Sequence, residues 1–350
     1  MAILKFRNVG ITALAACVPK KISSNYNLEG LIPKDTLLKV INFIGIKEKR
    51  IADENVCSSD LCFKAAQQLI KDNNTDKSQI DMVLFLSQTP DYIIPTTAAG
   101  LQHRIGLSTS TACIDLSLAC SGFIYSLSTA FSFALNPGIN KILLLVGETM
   151  SKVVNKRDKI NYPLFGDAGT ACIVEKGNFP ESTFILNSDG SGINSVQVPF
   201  GGFRNPVTAD SLIDKEREDG NIRKDIDLTM DGIDTFNHAI YEIPKIVKQI
   251  FKESKTEIED MDYFVSHQAN KFMIDHIAKR LKIPKDKVPY CIEKFGNTSG
   301  ASIPLTIVSE LENKIPGKKC LILSGIGAGW TYAAANITTN NLKISKLTEY

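Results

Sequence analysis

Runs of apolar residues, opened by one or two charges, recur along the chain and set its period. Asp81-Met82-Val83-Leu84-Phe85-Leu86-Ser87 and Lys141-Ile142-Leu143-Leu144-Leu145-Val146-Gly147 are two of them. Asp260-Met261-Asp262-Tyr263-Phe264-Val265-Ser266 and Lys319-Cys320-Leu321-Ile322-Leu323-Ser324-Gly325 are two more. Strands apolar at nearly every position are covered on both faces. Ser58 to Leu69 and Phe236 to Lys252 carry their apolar residues at helical spacing, which predicts helices laid on a sheet. Ile114-Asp115-Leu116-Ser117-Leu118-Ala119 reads as a further buried strand, and Ser121-Gly122-Phe123-Ile124-Tyr125-Ser126-Leu127 as a helix. Residues 201–232 break the pattern, because Asp210-Ser211-Leu212-Ile213-Asp214-Lys215-Glu216-Arg217-Glu218-Asp219-Gly220 is dense in charge and reads as a solvated excursion.

The strand runs form one layout used twice, roughly 178 residues apart. Asp81 to Ser87 matches Asp260 to Ser266, Lys141 to Gly147 matches Lys319 to Gly325, and His103-Arg104-Ile105-Gly106-Leu107 faces Lys279-Arg280-Leu281-Lys282-Ile283. A shift of 177 lays Cys120-Ser121-Gly122 on Asn297-Thr298-Ser299. Two halves, 1–175 and 176–350, each built of βαβ units and stacked on one another, predict a duplicated five-layer α/β/α/β/α fold.

At 350 residues and 43% hydrophobic, the chain can bury a core of this size. Forty basic residues against 38 acidic ones leave a net charge of +2 and give no reason to expect a nucleic-acid partner. Met1 to Arg7 lacks an apolar core of signal-peptide length, and no run approaches the ~20 apolar residues of a membrane span. A soluble, cytoplasmic protein is expected. The eight cysteines include no C-x-x-C pair, so neither a zinc site nor any other metal is expected, and reduced thiols suit the cytoplasm.

Cys120 carries the most chemistry. It stands between a strand run and a helix, where unpaired N–H groups and the partly positive helix end would lower a thiol's pKa from about 8.5 toward 3.5–7.5. His267, in Ser266-His267-Gln268-Ala269-Asn270, follows a strand, at the carboxyl end where α/β proteins place ligands. His103, His238 and His276 lie among polar or charged neighbours in helical stretches and read as surface or packing residues. Asn297, in Gly296-Asn297-Thr298-Ser299-Gly300, has the composition of a turn, but the repeat sets it opposite Cys120. Together they make a Cys/His/Asn set.

Four ordered motifs resemble those of β-ketoacyl-acyl-carrier-protein synthase III, a thiolase-superfamily enzyme. They are Asp115 to Tyr125 around Cys120, Leu164-Phe165-Gly166-Asp167-Ala168-Gly169-Thr170-Ala171, His267-Gln268-Ala269-Asn270, and Gly296 to Pro304. The resemblance extends to Gly45-Ile46-Lys47-Glu48-Lys49-Arg50-Ile51-Ala52, to Met230-Asp231-Gly232 and to Gly327-Ala328-Gly329-Trp330-Thr331. It implies a thiolase-like fold and a ping-pong reaction without a cofactor, acyl-CoA and malonyl-acyl carrier protein both being substrates. Cys120 would take the acyl group, and His267 and Asn297 would support decarboxylation of the malonyl unit. Backbone N–H groups of Cys120 and of the loop with Ala328 and Gly329 would receive the acylation oxyanion, although a tight turn explains that loop equally well. Gly166 to Gly169 would support the site by turn geometry and packing. A homodimer is implied, with Tyr92-Ile93-Ile94-Pro95 reaching the neighbour's acyl tunnel.

Three positions depart from the family's pattern. Lys39-Val40-Ile41-Asn42-Phe43-Ile44-Gly45-Ile46 lacks the tryptophan and arginine of W-I-x-x-R-T-G-I. Phe272 stands where many relatives have an arginine that assists carrier-protein docking, with Lys271 beside it, and Lys159 stands where some have an arginine in the cofactor channel. These changes leave primer, carrier and docking partner open. Other readings are a type III polyketide synthase, which shares the Cys/His/Asn set, and a hydroxymethylglutaryl-CoA synthase, which needs an upstream glutamate that Ser87-Gln88-Thr89-Pro90 does not offer. A non-catalytic ketosynthase partner subunit is a third.

Overall fold

The computed structural model describes residues 2–350 and contains two main sheets separated by buried helices. In the first, Met82–Leu86 lies parallel to Ala112–Leu116 on one side and to Lys141–Thr149 on the other. Asp167–Lys176 and then Val9–Val18 follow antiparallel. In the second, Tyr263–Ser266 lies parallel to Lys318–Gly327, followed antiparallel by Thr331–Asn340 and Ser182–Ser188. The repeat is thus a repeat of topology: a parallel pair continued by two antiparallel strands.

Alternation along the strands sorts residues into layers. Leu84, Leu86, Ile142, Leu144 and Val146 face inward, joining Val265, Leu321 and Leu323 of the second sheet in one core. Val83, Phe85, Leu143 and Leu145 face outward under the helices Ser58–Asp72 and Thr97–Ile105. On the far side, Phe264 and Ile322 pack under Gly232–Ser254 and Lys271–Leu281. The middle layer holds the helices Gly122–Ala134 and Ser302–Leu311. Being covered on all sides, both are apolar almost all round, whereas the outer helices are amphipathic. These are the expected five layers.

Chain ends cross the boundary at residue 175. Ala2–Phe6 pairs with Ser182–Ser188 in the second sheet, and Lys343–Ile344 and Thr348–Glu349 pair with Val9–Val18 in the first. The strand before Cys120 also differs from expectation. It spans Ala112–Leu116, stops short of Ala119, and its residues are half-exposed or exposed because it is the edge strand of its sheet. Residues 201–220 are largely exposed, the solvated excursion their charge predicts, and ion pairs tie it down. Lys215 and Arg217 both reach Asp225, and Arg223, only 6% exposed, meets the fully buried Asp158 at 2.5 Å. The charges are dense there because they pair with one another and with the body of the protein.

Candidate active site

Cys120, His267 and Asn297 come from three loops that the fold brings to one place. Cys120 lies just ahead of the Gly122–Ala134 helix, inside the middle layer. Glycines set its depth: a Cβ on Gly327 would stand 2.8 Å from the Cys120 nitrogen, and one on Gly325 would stand 3.0 Å from its carbonyl oxygen. Only bare backbone lets the Lys318–Gly327 strand run that close. Cys120 keeps part of its surface accessible, but burial of the sulfur pushes its pKa up to about 12. This reverses the lowered value expected at a helix end. Desolvation, with no cation beside the sulfur to offset it, is the largest cause, and Cys120 rests as a thiol.

His267 follows Tyr263–Ser266, and its backbone N–H donates to the Ser324 carbonyl, extending the strand pairing by one residue. Burial depresses its imidazole to about 3, so the ring is neutral at working pH. Its Nδ1 lies 2.7 Å from the Ser302 hydroxyl, which also accepts from the Gln268 N–H at 3.4 Å. The ring is thus anchored through Nδ1, leaving Nε2 as its other edge. The rest of H-Q-A-N is structural. Gln268 is buried, bonding the Ser266 carbonyl and the Cys291 N–H, and Asn270 caps the Lys271–Leu281 helix through the Met273 N–H.

Asn297 is fixed on both sides. Its backbone N–H donates to the Leu164 carbonyl at 2.8 Å, and its carbonyl accepts from the Gly166 N–H at 3.1 Å. Its Oδ1 accepts from the Ser299 N–H at 2.9 Å, so the amide nitrogen is the end free to donate. The Leu164-Phe165-Gly166 motif is therefore a brace for Asn297. Asp167, next in that motif, accepts from Ala52 and Ser151 and anchors the loops around it. A Cβ on Gly166 would stand 2.1 Å from the Phe295 carbonyl oxygen. Gly166→Ala therefore pushes the brace apart: the thermal midpoint falls, at a cost of about 1–3 kcal/mol, and condensation falls with it. Thermal melts and steady-state rates on the same sample check both.

Ser299 ties Cys120 to Asn297, and the sequence analysis passed it over. Its hydroxyl receives the Cys120 thiol at 3.7 Å, and its N–H holds Asn297. Its hydroxyl also lies 3.4 Å from Oε1 of Glu148, a fully buried carboxyl that the sequence analysis likewise missed. Glu148 was visible as the one acid at the end of the apolar run from Ile142 to Gly147. Its other oxygen is held by the Gln88 N–H, Thr89 and Ser87.

The remaining candidates lie elsewhere or carry other contacts. Gly327 touches the Cys120 backbone, and Ala328 and Gly329 follow it, Gly329 with φ +100°. Lys159 is exposed and donates to the Gly220 carbonyl at 3.3 Å. Lys271 pairs with Glu293 at 2.9 Å and packs on Gly45. Phe272 stacks on Phe43 at 4.8 Å and on Phe236 at 5.7 Å, which makes an aromatic surface there. Ile94 is 83% exposed, beside exposed Tyr92 and Ile93. No helix among the described residues is long and apolar enough to cross a membrane.

Comparison with known proteins follows the same residues. The family described as 3-oxoacyl-[acyl-carrier-protein] synthase III matches residues 114–190, and its C-terminal counterpart matches residues 251–339. A β-ketoacyl-[acyl-carrier-protein] synthase III of Streptococcus agalactiae is 36% identical, over 93% of this chain and 97% of its own. One of Fusobacterium nucleatum is 32% identical, over 95% and 98%. A crystal structure of a 3-oxoacyl-(acyl-carrier protein) synthase from Burkholderia xenovorans superposes with a TM-score of 0.93 at 33% identity, covering 100% of this chain and 99% of that one.

Proposed function

Because the chain belongs to the 3-oxoacyl-[acyl-carrier-protein] synthase III family of condensing enzymes, we propose that Cys120, His267 and Asn297 are the residues with which this acyltransferase catalyses decarboxylative condensation. The reading rests on the placement of the three: Ser299 holds both Cys120 and Asn297, and His267 is bonded to Ser324, next to the Gly325 that packs on the Cys120 backbone. The Cys120 sulfur attacks an acyl thioester, typically acyl-CoA, and keeps the acyl group as the first thiol departs. The oxyanion of that step is received by the Cys120 N–H, which donates to no backbone carbonyl among the described residues, and by the backbone of the Ala328-Gly329 loop.

Malonyl-acyl carrier protein then binds and loses CO2. Charge develops on its thioester oxygen, where Nε2–H of neutral His267 and the amide of Asn297 stabilise it as fixed donors in a site without bulk water. The enolate attacks the acyl-Cys120 thioester to give β-ketoacyl-acyl carrier protein. Both reactants are substrates, and no cofactor takes part. Acyl carrier protein is the protein partner, and the cytoplasm is the setting.

The working unit is a homodimer. Supporting this are an edge strand whose Ile114 and Leu116 are only half-covered and the exposed Tyr92-Ile93-Ile94 stretch, a surface more apolar than a free sheet edge tolerates. Intact-mass spectrometry against a panel of acyl-CoAs and acyl carrier proteins tests the whole reading. One acyl adduct per chain, discharged by malonyl-acyl carrier protein into a β-ketoacyl product, is expected. A folded dimer that no primer acylates would be a partner subunit, and repeated extension on CoA would make it a polyketide synthase.

A further inference from the structure

We propose that Glu148, acting through the Ser299 hydroxyl, takes the Cys120 proton when the thiol is acylated and returns it when the β-ketoacyl product departs. The inference rests on the reading of Cys120 as nucleophile and adds a proton acceptor to it. Three observations lead there. Cys120 is a thiol at rest, so acylation must release a proton inside the protein. His267 is badly placed to receive it, since its Nδ1 is held by Ser302 and burial makes the ring a very weak base. The thiol instead faces Ser299 at 3.7 Å, and Ser299 faces Glu148 at 3.4 Å. Both contacts are long, as catalytic hydrogen bonds commonly are before substrate binds.

A buried carboxyl satisfied by hydrogen bonds can be merely structural, and two features argue for more. Glu148 is held by three hydroxyls and one amide rather than by a cation, and burial raises it to about 8, the range in which a carboxylate serves as a base near neutral pH. Ser299 has φ +50°, the left-handed region that serine seldom occupies. That conformation sets its hydroxyl between sulfur and carboxylate, and strain of this sort collects at working sites.

The proton balance closes. As the sulfur bonds the acyl carbon, the S–H proton passes to the Ser299 oxygen and the Ser299 proton to Glu148. The departing CoA thiolate takes its proton from water. When the enolate attacks the acyl-enzyme, the C–S bond breaks toward Cys120. The protonated Glu148 then restores the thiol through Ser299 and becomes a carboxylate again.

Two rates test this, each in wild type, Glu148→Gln and Ser299→Ala. The first is single-turnover acylation by acyl-CoA. The second is alkylation of Cys120 by iodoacetamide from pH 6 to 10, located by peptide mass. In wild type both rates rise through an inflection near pH 8 as Glu148 ionises. Each variant loses the inflection and slows acylation about 10²-fold at pH 8. Malonyl decarboxylation, measured in a Cys120→Gln background, separates this role from a structural one, because no cysteine proton moves there. Glu148→Gln must slow acylation at least tenfold more than it slows decarboxylation. Equal losses in the two steps, or variants that keep the wild-type pH profile, overturn the relay. Ser299→Ala, which leaves Glu148 its other three donors, decides the matter should Glu148→Gln not fold. If wild type itself takes no acyl group, the nucleophile assignment fails, and the alkylation profile still reads the relay on its own.

Discussion

Cys120→Ala is expected to carry no acyl group from any primer and to lose condensation by on the order of 10⁴-fold or more. The substitution removes the one atom that can hold the acyl group between the two halves of the reaction. It removes little else, since the Cys120 thiol makes a single long hydrogen bond, to Ser299. The thermal midpoint should therefore stay near that of wild type. Seven other cysteines remain, but Cys17, Cys62, Cys172 and Cys291 are buried among apolar side chains with raised pKa values. Intact mass after incubation with acyl-CoA checks the outcome. An adduct that persists on Cys120→Ala would move the nucleophile elsewhere.

The second large effect concerns decarboxylation alone. Cys120→Gln, whose carboxamide resembles an acylated side chain, keeps releasing CO2 from malonyl-acyl carrier protein, and adding His267→Ala lowers that release about 10²–10³-fold, the usual cost of losing one donor at a developing oxyanion. The pH dependence has a definite form. Burial holds His267 near 3, against an ordinary value of 6.5, so the ring stays neutral and the decarboxylation rate shows no histidine limb between pH 5 and 8. Stability behaves differently. Because the folded value is depressed, the neutral ring's contribution is complete above about 6.5 and is lost as pH falls from there toward 3. His267→Ala should therefore lose less stability than wild type on acidification through that window. Decarboxylation assays and thermal melts over pH 4 to 8 read both effects, and equal CO2 release by the single and double variants would take histidine out of this step.

Much of the site was legible because its residues carry local signals. A histidine at a strand end, a cysteine ahead of a helix and an asparagine in the matching place of a repeat can each be seen without coordinates. Glu148 and Ser299 could not be assigned that way. Glu148 is one acid at the end of an apolar strand, and Ser299 one serine in a turn; their meaning comes from residues about 60 to 180 positions distant that close around them. The Cys120 pKa failed for a related reason. A helix end is a local feature, whereas desolvation depends on Gly325 and Gly327 pressing a strand of the other half against the sulfur's backbone.

The sequence by itself determined the layer order, the duplication and the family, since strand periodicity, internal repetition and contiguous motifs are properties of the chain read in order. The tertiary structure alone decided the protonation states and the hydrogen-bond partners, thiol with serine and buried carboxyl, and Ser302 with a neutral imidazole. Both depend on how completely water is excluded and on which distant groups replace it, and these are fixed only when the two sheets close on the helices between them.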